Sequence, residues 1–363
     1  MISRPDPHDL IRLLAAATPA EQASLVIATV WSADGSTPLD EGARALVGAT
    51  GLVAGTVGGG AAEAETLRVA PQIRHDHRPR LLECDLQGPG GEQPDPICGG
   101  RLRLLLEPLS PELHATHARA AAALDQRRRG LLHTTLTVSP DATVATHTRW
   151  LEASELATLP AHLLPSLAQT CLDRAGVGCA PGPPSDAGRT EILIQPVVPK
   201  PTLLVIGGGH VGQALAAQAV LVGFEVTVLD ERPDFLEREA FPPGTRFLTS
   251  PLREAIDGFP FAPDTHVAVM TRGHLLDAEA IAACLGRPAA YLGMIGSRRK
   301  VSLLRDRLLA SGQTTPDQWR RVHSPIGLDL GALTAPEIAA SIVAELIAIR
   351  RRGLSPRLWQ PAP

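Results

Sequence analysis

Gly207, Gly209 and Gly212 form a G-x-G-x-x-G turn directly after the apolar run Thr202–Ile206. Residue types at this spacing bind phosphate: the first glycine permits a tight turn and the second lets backbone approach a pyrophosphate. The third allows close helix packing, and the free N–H groups of the helix start receive phosphate oxygens. His210, inside the turn, either faces that phosphate or covers the turn. Asp230 ends the next apolar run, where a carboxylate can accept bonds from a ribose diol. Nothing in the motif supplies hydride chemistry, so it points to a phosphate site without naming the ligand.

Three further corners carry polar groups at the ends of apolar runs. In "MTRGHLLDAEA" these are Thr271, His274 and Asp277. His274 is a candidate anion donor or acid–base group, because imidazole titrates near neutrality. Asp277 reads equally as a first-turn residue favoured by the helix dipole. In "YLGMIGSRRK", Ser297 precedes Arg298, Arg299 and Lys300 at a helix start. Cations there oppose the dipole, a cost that a bound anion would offset; the same residues read equally as a solvated helix face. The loop "RVHSPIGLDLGA" brings His323, Ser324, Gly327 and Asp329 to the start of a long apolar helix, as a pocket wall.

The elements that must position these groups are short apolar runs, "TLLVIG", "FEVTVLD", "THVAVMT" and "AAYLGMIG", with helical stretches between most of them. Strands alternating with helices predict a parallel sheet covered on both faces, with ligands at the strand carboxyl ends. The fold class is therefore α/β, with a C-terminal Rossmann-like domain over 191–352 and a tail at 353–363. Its closing helix has Thr334 as N-cap and Glu337 as reciprocal partner. Residues 1–110 read as a mixed α/β domain with glycine-rich corners at 55–60 and 98–100. Between them, 111–190 holds a helix at 111–129, a hairpin turning at Pro140-Asp141, and a Gly/Pro-rich stretch, "GVGCAPGPPSDAGR", that reads as a linker or an exposed loop.

Composition narrows the function classes. A formal charge of −4 gives no basic surplus for nucleic acid. No run of eighteen uninterrupted apolar residues occurs, and no basic-then-apolar leader opens the chain, so no membrane association is expected and the location is read as cytoplasmic. Five scattered cysteines without a C-x-x-C describe neither a disulfide framework nor a closed zinc site.

Taken together, the motifs resemble the XdhC/CoxI family of accessory proteins for xanthine dehydrogenase and related molybdenum hydroxylases. The resemblance rests on "GTVGGGAAEAE" and "ICGG" near the N-terminus, and on "VIGGGHVGQALA", "VLDERPDF", "MTRGHLLD", "YLGMIGSRRK" and "HSPIGLDLGALTAPEIAASIVAEL" further on. It implies a chaperone that binds molybdenum cofactor, protects it during sulfuration and helps insert it into the hydroxylase. A cysteine desulfurase and the client enzyme are the implied partners, and a homodimer is plausible. Carried onto this chain, Gly207, Gly209, His210, Gly212, Asp230, His274, Ser297, Arg298, Gly58, Gly59 and Gly60 are the implied cofactor contacts. The family pattern places a cysteine directly after the three glycines, where this chain has Ala61, with Glu63 retained. Alanine cannot ligate molybdenum or carry sulfur, which leaves Cys98 as the candidate soft ligand or as a small buried hydrophobe. Two alternatives stay open: an NAD-dependent oxidoreductase with His274 as acid–base group, and a structural adaptor for hydroxylase assembly.

Overall fold

Alternation along Val26–Asp34 (β1) sends Val26, Ala28 and Val30 into one core, and Ile27 and Trp31 into others. The computed structural model describes residues 7–86, 100–184 and 188–352, which fall into two compact units, one ending at Pro199 and the other beginning at Lys200.

In the first unit, β1 joins Arg44–Gly48 (β2), Gly51–Gly55 (β3), Arg80–Asp85 (β4) and Arg101–Pro108 (β5). They form an antiparallel sheet in the order β3-β2-β1-β5-β4. The helix Gly60–Asp76 covers one face through Ala62, Val69, Ala70 and Ile73, packed with Leu102, Leu104 and Leu106. A second antiparallel sheet contains Gly130–Val138 (β6), Val144–Glu152 (β7), Gly178–Pro181 (β8) and Arg189–Val197 (β9), in the order β7-β6-β9-β8. The sheets meet through Trp31 and Leu105 on one and Leu136 and Leu193 on the other. There the Trp31 indole N–H donates to Glu191 at 2.6 Å, and Arg103 grips the same carboxylate at 2.8 and 3.0 Å.

The stretch 111–190 carries three strands of the second sheet, and the two compact units divide at 199/200. Gly178–Pro181, inside the stretch expected as a linker or exposed loop, pairs with β9. Four residues bounded by Gly and Pro carry too little alternation to announce a strand, and their partner lies further along the chain. The expected hairpin and the helix Pro111–Asp125 are present.

His133 lies inside this second sheet, fully buried, and neither ring nitrogen has a hydrogen-bond partner. Burial, then the nearby Arg149 charge, pushes its pKa down to about 4. Burial similarly lowers His117 to about 3 and His266 to about 4. A histidine held neutral in the fold binds its proton more weakly than in the unfolded chain. Its contribution is whole above the unfolded pKa and is lost as pH falls from about 6.5 toward the folded value. His133→Leu is expected to raise stability at pH 7.5 by about 1 kcal/mol, by removing an unpaired buried polar ring. Thermal melts at a series of pH values should also show a shallower loss between pH 6.5 and 4, and an unchanged slope would contradict this reading.

Among the described residues the second unit has six parallel strands: Thr202–Ile206 (β10), Glu225–Leu229 (β11), Arg246–Leu248 (β12), Thr265–Val269 (β13), Tyr291–Met294 (β14) and Val322–His323 (β15). Their order, β12-β11-β10-β13-β14-β15, is that of a Rossmann sheet. Leu204, Ile206, Val267 and Val269 pack under helices Leu252–Gly258, His274–Cys284 and Arg298–Ala310. Leu203, Val205, Val226 and Val228 pack under His210–Leu221 and Ala335–Arg352. The helices following β10 and β13 thus lie on opposite faces, and the strand ends diverge between them. Among the described residues no helix is long and apolar enough to cross a membrane.

Candidate functional site

At that divergence sits the glycine turn. Gly207 has φ +123°, and a Cβ there would meet the Met270 carbonyl oxygen at 2.4 Å, so the β10 and β13 loops touch through it. A Cβ on Gly212 would lie 2.0 Å from the Gly207 carbonyl oxygen, which makes this glycine the contact between helix and turn. Gly209 differs: a Cβ there would meet nothing within 4 Å. It caps the helix His210–Leu221 without a side-chain bond. The first N–H groups of the helix have no intrahelical acceptor, and no protein atom occupies the place where a Gly209 side chain would stand. His210 is exposed at the helix start.

Asp230 is 8% exposed and is fixed on the turn. Its carboxylate accepts from the backbone N–H of Gly208 at 2.9 Å and of Arg232 at 3.1 Å. It also accepts Arg232 Nε at 2.9 Å and Nη2 at 2.8 Å. Burial alone would raise its pKa, but the Arg232 and Gly208 bonds hold it below the usual carboxylate range. Four N–H donors use the lone-pair positions a carboxylate offers, so accepting a ribose diol here requires displacing Arg232.

On the β13 side, Thr271 donates from its backbone N–H at 3.1 Å and its hydroxyl at 2.7 Å to Asp277. Asp277 is fully buried and pairs with Lys300 Nζ at 2.5 Å. This pair answers part of the basic helix start at 298–300: the half-buried Lys300 is matched by a buried carboxylate. Arg298, 85% exposed, lies 3.8 Å from Asp329. Ser297 is the N-cap, accepting the Lys300 N–H at 3.3 Å. His274 is exposed at the first position of its helix, whose N-cap, Gly273, makes no side-chain cap bond. Gly207, Gly209, His210, His274, Ser297 and Arg298 thus lie at the carboxyl ends of β10, β13 and β14, while Gly212 and Asp230 hold the turn in shape.

Next along the sheet, Glu345 is 2% exposed and accepts from the Tyr291 hydroxyl at 2.5 Å and the Gly327 N–H at 2.7 Å, with His323 Nδ1 at 3.2 Å. Burial, then the Glu345 charge, pushes the Tyr291 phenol well above its ordinary range. This network fixes the 323–328 loop. The signal for it was an acidic residue inside the apolar stripe of Ile342, Val343 and Leu346. Arg232 and Arg272 were also missed; both stand over the Phe235 ring, 3.7 and 5.2 Å from its centroid.

The first unit contributes a separate corner. Gly58, Gly59 and Gly60 have φ values of +119°, +73° and +50°, and they lead into the helix Gly60–Asp76. A Cβ on Gly58 would strike Pro38 at 2.8 Å, whereas Gly59 and Gly60 face open space. Glu63 accepts from the Thr56 hydroxyl, which itself accepts the Gly58 N–H at 3.1 Å. Ala61 is exposed in the first turn. Cys98 lies outside the described residues. Among those described, no group of three His, Cys, Asp or Glu side chains is placed to hold a metal ion. Burial raises the thiols of Cys84 and Cys171, and pushes Cys179 to about 11 and Cys284 to about 12, so none is a ready thiolate.

Comparison with known proteins gives matches in both units. Residues 203–346 match the XdhC Rossmann domain, and residues 20–85 match the XdhC and CoxI family. The chain is 32% identical over 197 residues to the uncharacterized protein YqeB of Escherichia coli K12, covering 54% of this chain and 35% of that protein. It is 33% identical over 163 residues to a protein of Bacillus subtilis 168 described as a probable subunit of xanthine dehydrogenase, covering 45% of this chain and 47% of that one. The aligned regions thus span less than half the length of these curated relatives. A crystal structure described as a xanthine dehydrogenase from Bacillus halodurans superposes with a TM-score of 0.71, over 96% of this chain and 98% of that one. At 24% identity that likeness shows a shared fold.

Proposed function

The chain belongs to the XdhC and CoxI family, and from that premise we propose that it is a carrier for molybdenum cofactor. In this reading it protects the cofactor while its terminal sulfur is installed and delivers it to a molybdenum hydroxylase such as xanthine dehydrogenase. A cysteine desulfurase is the proposed sulfur source, and a homodimer the proposed assembly. The observation that carries the reading is open space at Gly209: the absent side chain relieves no clash with protein and leaves room before a helix start whose N–H groups need an acceptor.

A phosphate-bearing pterin fits this edge. Gly207, Gly209 and His210 would hold the phosphate, with His274, Ser297 and Arg298 along the same strand ends. In the first unit, Gly59 and Gly60 leave comparable open space beside the orphan donors of a second helix start. With Ala61 lacking a thiol and the described cysteines buried or strongly protonated, Cys98 is the proposed sulfur ligand. The bound cofactor supplies the redox chemistry of the client enzyme; this chain binds, orients and shields it, and no proton transfer by its own residues is required.

A second reading, a nicotinamide dinucleotide, is favoured by the strand order and disfavoured by the saturation of Asp230, which leaves no acceptor for a free ribose diol. Reconstitution tests the leading reading. A cofactor-free hydroxylase incubated anaerobically with the loaded chain is expected to regain more activity than with the same amount of cofactor released by denaturation. Equal activation would remove the delivery role.

A further inference from the structure

The two guanidinium groups on the Phe235 ring have no place in the phosphate turn as usually drawn. Arg232 reaches the ring from the end of β11, with its Cζ 3.7 Å from the centroid. Arg272 reaches it from the end of β13, at 5.2 Å. Two like charges gathered around one aromatic ring repel, and cation–π attraction to the ring opposes that repulsion. Arg232 spends Nε and one Nη2 hydrogen on Asp230, which leaves three of the five donors of a guanidinium for another acceptor. Arg272 is exposed. The nearby acids do not fill the gap: Glu231 is turned to the Leu252 N–H at 2.6 Å, and Asp234 is exposed to solvent.

The pair is also tied to the glycine turn. Asp230 joins Arg232 to the Gly208 N–H, and a Cβ on Gly208 would meet the Phe235 carbonyl oxygen at 2.5 Å. The backbone at Phe235 therefore packs directly against the turn. In a Rossmann sheet, an acidic residue at this strand end accepts a ribose diol, and an arginine there accommodates a phosphate instead. Here the arginine has taken the acid for itself.

We propose that Arg232 and Arg272, gathered on Phe235 beside the glycine turn, form a phosphomonoester site that selects which ligands the turn accepts. The inference rests on the strand ends being a ligand site, as argued above, but not on the presence of molybdenum. A phosphomonoester dianion matches the planar forks of two arginines, whereas a phosphodiester carries one charge and a ribose diol none. Two sources share that chemistry: a phosphorylated ribose, as in NADP, and the terminal phosphate of a pterin side chain. A nucleotide-extended pterin, whose phosphates are joined in a pyrophosphate with one charge on each, would be disfavoured.

Calorimetric titration of the full chain with two matched pairs tests this: NADP against NAD, and the phosphate ester of 6-hydroxymethylpterin against the free alcohol. In at least one pair the phosphomonoester should bind about tenfold tighter. Arg272→Ala should abolish that preference, and Arg272→Lys, which keeps charge without the fork, should restore part of it. Preference within the first pair assigns the ribose source; preference within the second assigns the pterin source. No phosphate-dependent difference in either pair, or a difference that survives Arg272→Ala, overturns the proposal. Selectivity in these titrations from a chain that never carries molybdenum would leave this site standing and remove the carrier reading alone.

Discussion

Replacing Gly212 with alanine is expected to destabilise the second unit by about 3 kcal/mol or more, although only one methyl group is added. The new Cβ would lie 2.0 Å from the carbonyl oxygen of Gly207, which is backbone and cannot rotate away. Gly207 cannot retreat, because at φ +123° it is itself wedged against the Met270 carbonyl. The helix must therefore lift from the sheet, exposing Leu215, Ala216 and Ala219 of its buried face. Against a typical total of about 5–15 kcal/mol, such a loss should be visible in denaturant titrations and in protease sensitivity of the second unit. Gly209→Ala is the control. Its Cβ meets nothing within 4 Å and its φ is −69°, so stability should stay within about 0.5 kcal/mol while phosphate-ligand binding falls. Equal destabilisation by the two substitutions would contradict the division of roles between these glycines.

Glu345→Ala is expected to cost about 3 kcal/mol, for an electrostatic rather than a steric reason. The carboxylate serves the Tyr291 hydroxyl, the Gly327 N–H and His323, and all three lose their partner together. Gly327 has φ +89°, and its N–H bond is one of the ties holding the loop to the closing helix. Hydrogen exchange should therefore quicken around 323–331 before the rest of the unit responds. Glu345→Gln keeps an acceptor oxygen for Tyr291 and Gly327 and should recover most of the stability. Faster exchange spread evenly over the whole sheet would argue against a local tie.

The second unit was legible because its central strands are buried on both faces and read as apolar runs, Leu203–Ile206 and Val267–Val269 without a break and Glu225–Leu229 with only Thr227 between its valines. The edge strands Arg246–Leu248 and Val322–His323 were not, being three and two residues long, with no room for a period to show. In the first unit, the hairpin at Pro140-Asp141 carried its own turn chemistry, while β8 depended on β9, whose pairing no local pattern encodes. The candidate site was legible as backbone and not as charge. The glycine spacing located the turn, but Asp230 looked free for a ligand, because a salt bridge two residues away leaves no mark on spacing. Lys300 looked like a surplus cation for the same reason, since its partner Asp277 lies on a different helix.

The carrier role is tested most directly by what the chain brings with it. The full-length protein should be purified anaerobically from cells that make molybdenum cofactor, with molybdenum counted by elemental analysis and pterin by fluorescence after oxidation. The account predicts molybdenum and pterin in equal amounts on folded protein, with Cys98→Ser losing metal. Well-folded protein that carries neither metal nor pterin would contradict it.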